Sequence, residues 1–341
     1  MKTSSPRTSV VLALVLGVFS STLFSADLYH SIGELPISGD GGWDYLSIDA
    51  TAHRLYLTHG TRIVVIDTAK DVVAGEITGL SGVHGFAVAP KLGTGFASNG
   101  RENTVSTVAL STLATVRKTT TGENPDAILF EPAHSEVYAF NGRGKSATVI
   151  NPETGAVVAT IPLEGKPEFS QAEDGRVFVN IEDKHEVAVI DGATHRVTAS
   201  WPLAPGEEPT GMEIDPEHHR LFVGCGNAKL IILDTRDGHI VANVPAGNGI
   251  DAVAFDAGKQ LVYTSNGSDG TTTIVREDTP DKYTVVQTLT TERSARTLAV
   301  DPASHKIYLA SAKFEARVPG SNKRPAMIPG SFKVLIYGLS P

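Results

Sequence analysis

The sequence predicts an all-β fold, a seven-bladed β-propeller, and three observations carry that prediction. A four-strand pattern recurs seven times at a spacing of about 40 to 45 residues, the period of propeller blades. Turn formers are plentiful, with 33 glycines and 19 prolines, and no stretch keeps a helical 3.6-residue apolar period. A lone fourth-strand pattern stands ahead of the first copy, where it has no strands of its own to complete.

The copies align on their first strands: "DYLSIDA" from Asp44, "HGFAVAP" from His84, "DAILFEP" from Asp126, "EFSQAED" from Glu168, "TGMEIDP" from Thr210, "DAVAFDA" from Asp251 and "RTLAVDP" from Arg296. A polar turn and a second strand follow each, such as "EVYAFN" or "LVYTSN". A third strand such as "IVVIDT" and a fourth such as "HIVANV" finish the unit. The seventh copy ends after its third strand, "SFKVLIYGLSP", and "YHSIGELPI" (Tyr29 to Ile37) has the pattern of the missing fourth. Pairing the two covers an exposed sheet edge and closes the ring.

The stretches "VYTSN" (Val262 to Asn266) and "IVVID" (Ile63 to Asp67) resemble the YVTN-type β-propeller repeat family, and the likeness runs from about Leu28 to Pro341. The resemblance is to exported bacterial propellers of the YncE type. It implies a fold and no particular chemistry, because related propellers include lactonases, cofactor-binding subunits and recognition modules.

Residues 1–26 read as a separate element. Lys2 and Arg7 precede the apolar run Val10 to Phe24, in the order of a secretory signal. Cleavage is expected near Ala26, although Phe24 departs from the small-residue rule and leaves an uncleaved anchor as the alternative. Residues 27–341 then form a single domain in the periplasm or outside the cell, touching a membrane only through that N-terminal segment and expected to be a monomer. One cysteine, Cys225, excludes an internal disulfide and reads as a buried apolar residue rather than a nucleophile. The net charge of −9 argues against affinity for phosphate backbones.

Strand parity assigns the loops to faces. In a four-stranded antiparallel blade, the interblade loop and the second-to-third turn share one face, and the innermost strand begins at the channel mouth. Asp44, His84, Asp126, Glu168, Thr210, Asp251 and Arg296 therefore converge. His59, Asn99, Asn141, Arg143, Glu182 and Asn266, at second-strand ends and the loops beyond, join them as candidate ligand-binding residues. Four carboxylates focus negative potential, while Arg296 and His84 relieve part of it or grip an anionic group. The simpler alternative is that mouth residues are solvated and cap local turns.

Other chemistries find less support. His59 and His84 beside Asp44 offer donors that suit zinc or manganese, yet the spacing matches no strong metal motif, so neither metal nor cofactor is expected. The remaining turn histidines read as surface residues. There is no Gly-x-Ser-x-Gly elbow, and the glycine-rich "GDGG" and "SNGSDG" precede no helix that would hold a phosphate. The insertion Lys313 to Phe332 in the last copy falls on the mouth face and reads as a lid or a plain surface loop. These readings point to an exported binding protein for a small polar ligand or a cell-envelope partner. The alternatives are a lactonase-like hydrolase with Glu168 or Asp251 as base and His84 and Arg296 stabilising developing charge, or a binder of single-stranded nucleic acid through a basic rim.

Overall fold

The computed structural model describes residues 1, 29–39, 41–316 and 325–339. The secretory-signal reading and the middle of the Lys313 to Phe332 insertion lie outside the described residues. Seven four-stranded antiparallel sheets follow one another around the ring, and among the described residues helix is confined to the short 3-10 turns Pro90–Leu92 and Glu182–Lys184. Blade 1 has strands Trp43–Asp49, Arg54–His59, Arg62–Asp67 and Val72–Ile77, ordered from the axis outward, and blades 2 to 6 repeat that order.

Blade 7 is composite. Its strands Thr297–Asp301, Lys306–Ser311 and Lys333–Leu339 accept Tyr29–Pro36 as the outer fourth strand, paired from Tyr29 opposite Leu339 to Pro36 opposite Lys333 with one bulge between Ser31 and Gly33. Tyr29, 2% exposed, ties this strand to blade 6 as well: its hydroxyl is 2.8 Å from that of Tyr263 and donates to the His305 carbonyl at 3.0 Å. The first and last described strands therefore belong to one sheet.

The core lies in the seams between blades. Each second strand carries an aromatic residue at its third position, namely Tyr56, Phe96, Tyr138, Phe178, Phe222, Tyr263 and Tyr308, and all seven are 0% exposed. They wedge into seven apolar clusters, each built on two neighbouring blades, with Tyr45 of blade 1 reaching across the axis into the cluster between blades 3 and 4. Burying such a ring stabilises by roughly 4 kcal/mol at about 25 cal/mol per Å².

At the end of the ring opposite the mouth, the first-to-second and third-to-fourth turns add polar clasps across the seams. His195 Nε2 lies 2.9 Å from Glu136, His219 Nδ1 2.9 Å from Glu173 and His305 Nδ1 2.6 Å from Asp256, each pair joining adjacent blades. Lys306 and Tyr308 of blade 7 hold Asp71 of blade 1, at 2.6 and 2.8 Å. His195, His219 and His305, read from sequence as plain surface residues, are thus partly covered and paired.

Candidate functional site

A repeated irregularity builds the mouth. In blades 1 to 6 the innermost strand holds one extra residue opposite its neighbour, in the intervals Trp43/Leu46, Val83/Phe86, Pro125/Ile128, Pro167/Ser170, Pro209/Met212 and Ile250/Ala252. Asp44, His84, Asp126, Glu168, Thr210 and Asp251 each lie inside one of these bulges, and a bulge bends the strand and re-aims the side chain at that point. Arg296 immediately precedes the innermost strand of blade 7.

Side-chain clips from neighbouring blades fix the bulged backbone. The Ser98 hydroxyl donates to the Asp126 carbonyl at 2.5 Å, Thr210 to Ile250 at 2.7 Å, Thr297 to Asp44 at 2.9 Å, and the Asn180 amide to Thr210 at 2.8 Å. Ser265 does the same for the Arg296 carbonyl. With their hydroxyls bonded to main chain, Ser98 and Ser265 are structural rather than nucleophilic.

Six of the seven mouth residues enter ion pairs, and Thr210 keeps to its hydrogen bond with the Ile250 carbonyl. His84 Nδ1 sits 2.7 Å from Asp44 Oδ2 and 3.5 Å from Asp126 Oδ1. Arg296 donates to Asp251 Oδ2 at 2.9 Å and to the Trp43 carbonyl at 2.7 Å, and lies 3.9 Å from Asp44 Oδ1. Lys166 Nζ stands 2.5 Å from Glu168 Oε1 and also bonds Glu182. Below them the Tyr45 hydroxyl donates to Glu168 Oε2 at 3.2 Å, and its ring packs edge-on against Phe169, so these two aromatics floor the mouth.

Burial and mutual repulsion dominate the electrostatics. Burial, then the Asp126 charge, lifts Glu168 to about 8 against the opposing Lys166. Burial and Asp44 lift Asp126 to about 6, against His84. Burial lifts Asp251 to about 6 despite Arg296. His84 is raised as well: burial opposes its charge, but the Asp44 hydrogen bond and the Asp126 charge outweigh it. These carboxyls keep 11 to 25% of their side-chain surface open to the mouth.

Two hollows open at this mouth. One of about 550 Å³ is lined by Glu182, Thr210, Asn248, Asp251, Ser268 and Arg296, and another of about 190 Å³ by Trp43, Asp44, His84, Arg101 and Arg296. The Arg296 side chain borders both. Beyond the Tyr45–Phe169 floor, a third hollow of about 300 Å³ contains Gln171 and Glu213, whose side chains hydrogen-bond at 2.6 Å. Burial pushes Glu213 up to about 7. Nothing in the strand-start pattern signals that inner hollow.

Other predicted residues are placed differently. Asn99, Asn141 and Asn266 are 0% exposed, and each amide donates to two hydroxyls on the adjacent third strand: Thr104 and Ser106, Ser146 and Thr148, Thr271 and Thr273. They brace the blades. His59 is stacked under Phe332, ring centroids 4.3 Å apart, while its expected metal partners His84 and Asp44 assemble instead with Asp126, with ligand-type atoms within 4.8 Å of one another. Arg143 is exposed on the rim, 4.0 Å from Glu123, and Lys145 is paired to Asp183 at 2.8 Å. Lys166 and Tyr45 were not among the predicted residues; the signal for Lys166 was a lone basic residue two positions before Glu168. Burial raises the Cys225 thiol to about 12, as befits an inert core residue.

The described ends of the insertion form a short ladder. Phe314 bridges Met327, and the Ile328 amide donates to the Lys313 carbonyl at 2.8 Å. Phe314 and Phe332 pack against Trp43, at 6.1 and 5.1 Å between ring centroids, and the Arg296 guanidinium lies 5.9 Å from the same Trp43 ring. The insertion is thereby rooted beside the mouth.

The ring and its polar mouth define a seven-bladed β-propeller. No family model matches the chain, and no curated protein matches it. Among solved structures it is similar to a chain of Kuenenia stuttgartiensis hydrazine synthase, with a TM-score of 0.71 and 16% sequence identity, over 80% of this chain and 94% of that one. A likeness at that identity establishes the fold alone.

Proposed function

We propose that this chain is an exported propeller of the YVTN type whose mouth binds a small polar ligand carrying a positive charge. The supporting observation is the gathering of Asp126, Glu168 and Asp251 where burial and mutual repulsion favour their protonated forms. A cation entering the mouth supplies the charge these groups lack, and Arg296 holds an anionic group if the ligand is a zwitterion. Export rests on Lys2, Arg7 and the apolar run that follows.

Because a cation favours ionised carboxyls, affinity should rise with pH as groups with values of about 6 and 8 lose their protons. Native mass spectrometry of protein recovered from its own envelope should show a retained molecule. Calorimetry with that molecule should show weaker binding to Asp126→Ala, Glu168→Ala and Asp251→Ala. Equal affinity in all three variants would overturn the reading.

One observation favours a hydrolase as the second reading. A carboxyl titrating at about 8 within hydrogen-bond reach of a phenol suits proton transfer near neutral pH. It predicts a bell-shaped rate profile on lactones or esters that disappears in Glu168→Gln. No turnover across such a panel would remove it.

A further inference from the structure

The repeat provides an internal control at the end of the ring opposite the mouth. In blades 4, 5 and 6 the last residue of the innermost strand reaches the next blade there. Between blades 4 and 5 that residue is Glu173, which accepts hydrogen bonds from the Thr235 hydroxyl at 2.5 Å and from Arg176 at 3.1 Å, and lies 2.9 Å from His219. Thr235 lies just beyond the third strand of blade 5, its amide donating to the His219 carbonyl at 3.0 Å. Acceptor meets donors, and the seam is satisfied.

Between blades 5 and 6 the same positions hold different chemistry. Asp215 takes the place of Glu173, and Glu277 takes that of Thr235, its amide donating to the Gln260 carbonyl at 3.0 Å. Two carboxyls now face each other where a carboxylate faced a hydroxyl. Asp215 is 2% exposed and Glu277 5%. Gln260 fills the turn position that holds His219 in blade 5, and its side chain turns back to the Ala257 carbonyl at 2.8 Å. The imidazole comes instead from His218 of blade 5, with Nδ1 2.6 Å from Asp215 Oδ2 and 3.5 Å from Glu277 Oε1. Tyr283 donates to Glu277 Oε1 at 3.2 Å, while Glu277 Oε2 is buried without a hydrogen-bond partner.

We propose that Asp215, His218 and Glu277 form a divalent-cation site clamping blades 5 and 6 together. One nitrogen and two carboxylate donors suit zinc or manganese. Their ligand-type atoms lie within 4.8 Å of one another. In a tetrahedral zinc site, bonds near 2 Å place neighbouring ligand atoms roughly 3.4 Å apart. The His218–Glu277 edge already has that length at 3.5 Å, and the 2.6 Å His218–Asp215 hydrogen bond has to open by less than an ångström. A cation takes the place of the proton that two facing carboxyls otherwise share, and it gives Glu277 Oε2 a partner. His218, with 29% of its side chain exposed, provides the route of entry.

The test strips the full chain with chelator and titrates Zn²⁺ and Mn²⁺ by calorimetry, with thermal unfolding alongside. One equivalent should bind to the parent protein and to His84→Ala, which alters only the mouth. Glu277→Gln, close in shape and still able to accept from Tyr283, and His218→Ala should each weaken binding by more than the roughly 10–100-fold typical of losing an outer partner of a metal ligand. At a hundredfold excess of metal over Kd the unfolding midpoint of the parent should rise by about 4 °C, and that rise should be absent in Glu277→Gln. No stoichiometric binding by the parent would show that the pair holds a proton only, and binding undiminished in both seam variants would place the ion elsewhere. Either result overturns the proposal and leaves the reading of the mouth untouched.

Discussion

The two ends of the propeller handle carboxylates in opposite ways. At the base, most acidic side chains meet donors: Asp256 has His305, and Asp234 is held below the usual carboxylate range by hydrogen bonds from Arg236 and by the Arg220 charge. At the mouth, acids crowd acids, and Asp126, Glu168 and Asp251 are displaced upward. The same strand repeated seven times supports both outcomes, so the contrast comes from side-chain choice at its two ends and not from the sheets. The pairs at the base stabilise the ring, whereas the mouth gathers carboxyls whose ionised forms are disfavoured, as binding and catalytic sites commonly do.

The contrast breaks most severely at Arg220. This buried guanidinium bonds Asp234 and Asp281, each at 2.7 Å, together with the carbonyls of Pro280, His218 and His219. Arg220→Ala should cost about 3 kcal/mol, read from urea unfolding, because buried partners are left behind. A loss below about 1 kcal/mol would mean that the base contributes little.

Glu168→Gln should act in the other direction. Glu168 holds its proton more tightly folded than unfolded, so stability falls as pH rises from 4.5 to about 8. Removing the charge should flatten that slope and stabilise at pH 8 by on the order of 2 kcal/mol, after discount for the lost Lys166 pairing. Unfolding curves at pH 5 and pH 8 decide it, and a slope equal to that of the parent refutes the crowding.

Smaller effects sharpen the picture. Asn266→Ala removes the amide hydrogen bonds to Thr271 and Thr273 and the one accepted from Thr264, and should cost about 1–2 kcal/mol without changing ligand affinity. Arg143→Ala on the exposed rim should stay within about 0.5 kcal/mol, and a larger loss would point to a contact beyond Glu123.

The fold was legible because a propeller repeats its hydrophobic pattern, and the orphan strand Tyr29–Pro36 announced its own closure. Strand starts also located the mouth, since position along a repeated strand converts directly into distance from the axis. Second-strand ends were harder to read: Asn99, Asn141 and Asn266 look like ligand contacts until the hydroxyls five and seven residues onward are seen to claim their amides. His59 was misleading for a related reason, because its environment is set by Phe332, far away in sequence. Whether Asp215 meets a hydroxyl or a carboxyl depends likewise on the following blade, which no single repeat reveals.

The extra residue in six innermost strands has a further consequence. It sets the inward-turned position apart from the ladder that fixes strand alignment, so exchanging that residue leaves the surrounding sheet's register intact. The ring thus offers a row of interchangeable sockets, and a chain of this design can acquire a new selectivity one substitution at a time without rebuilding its frame.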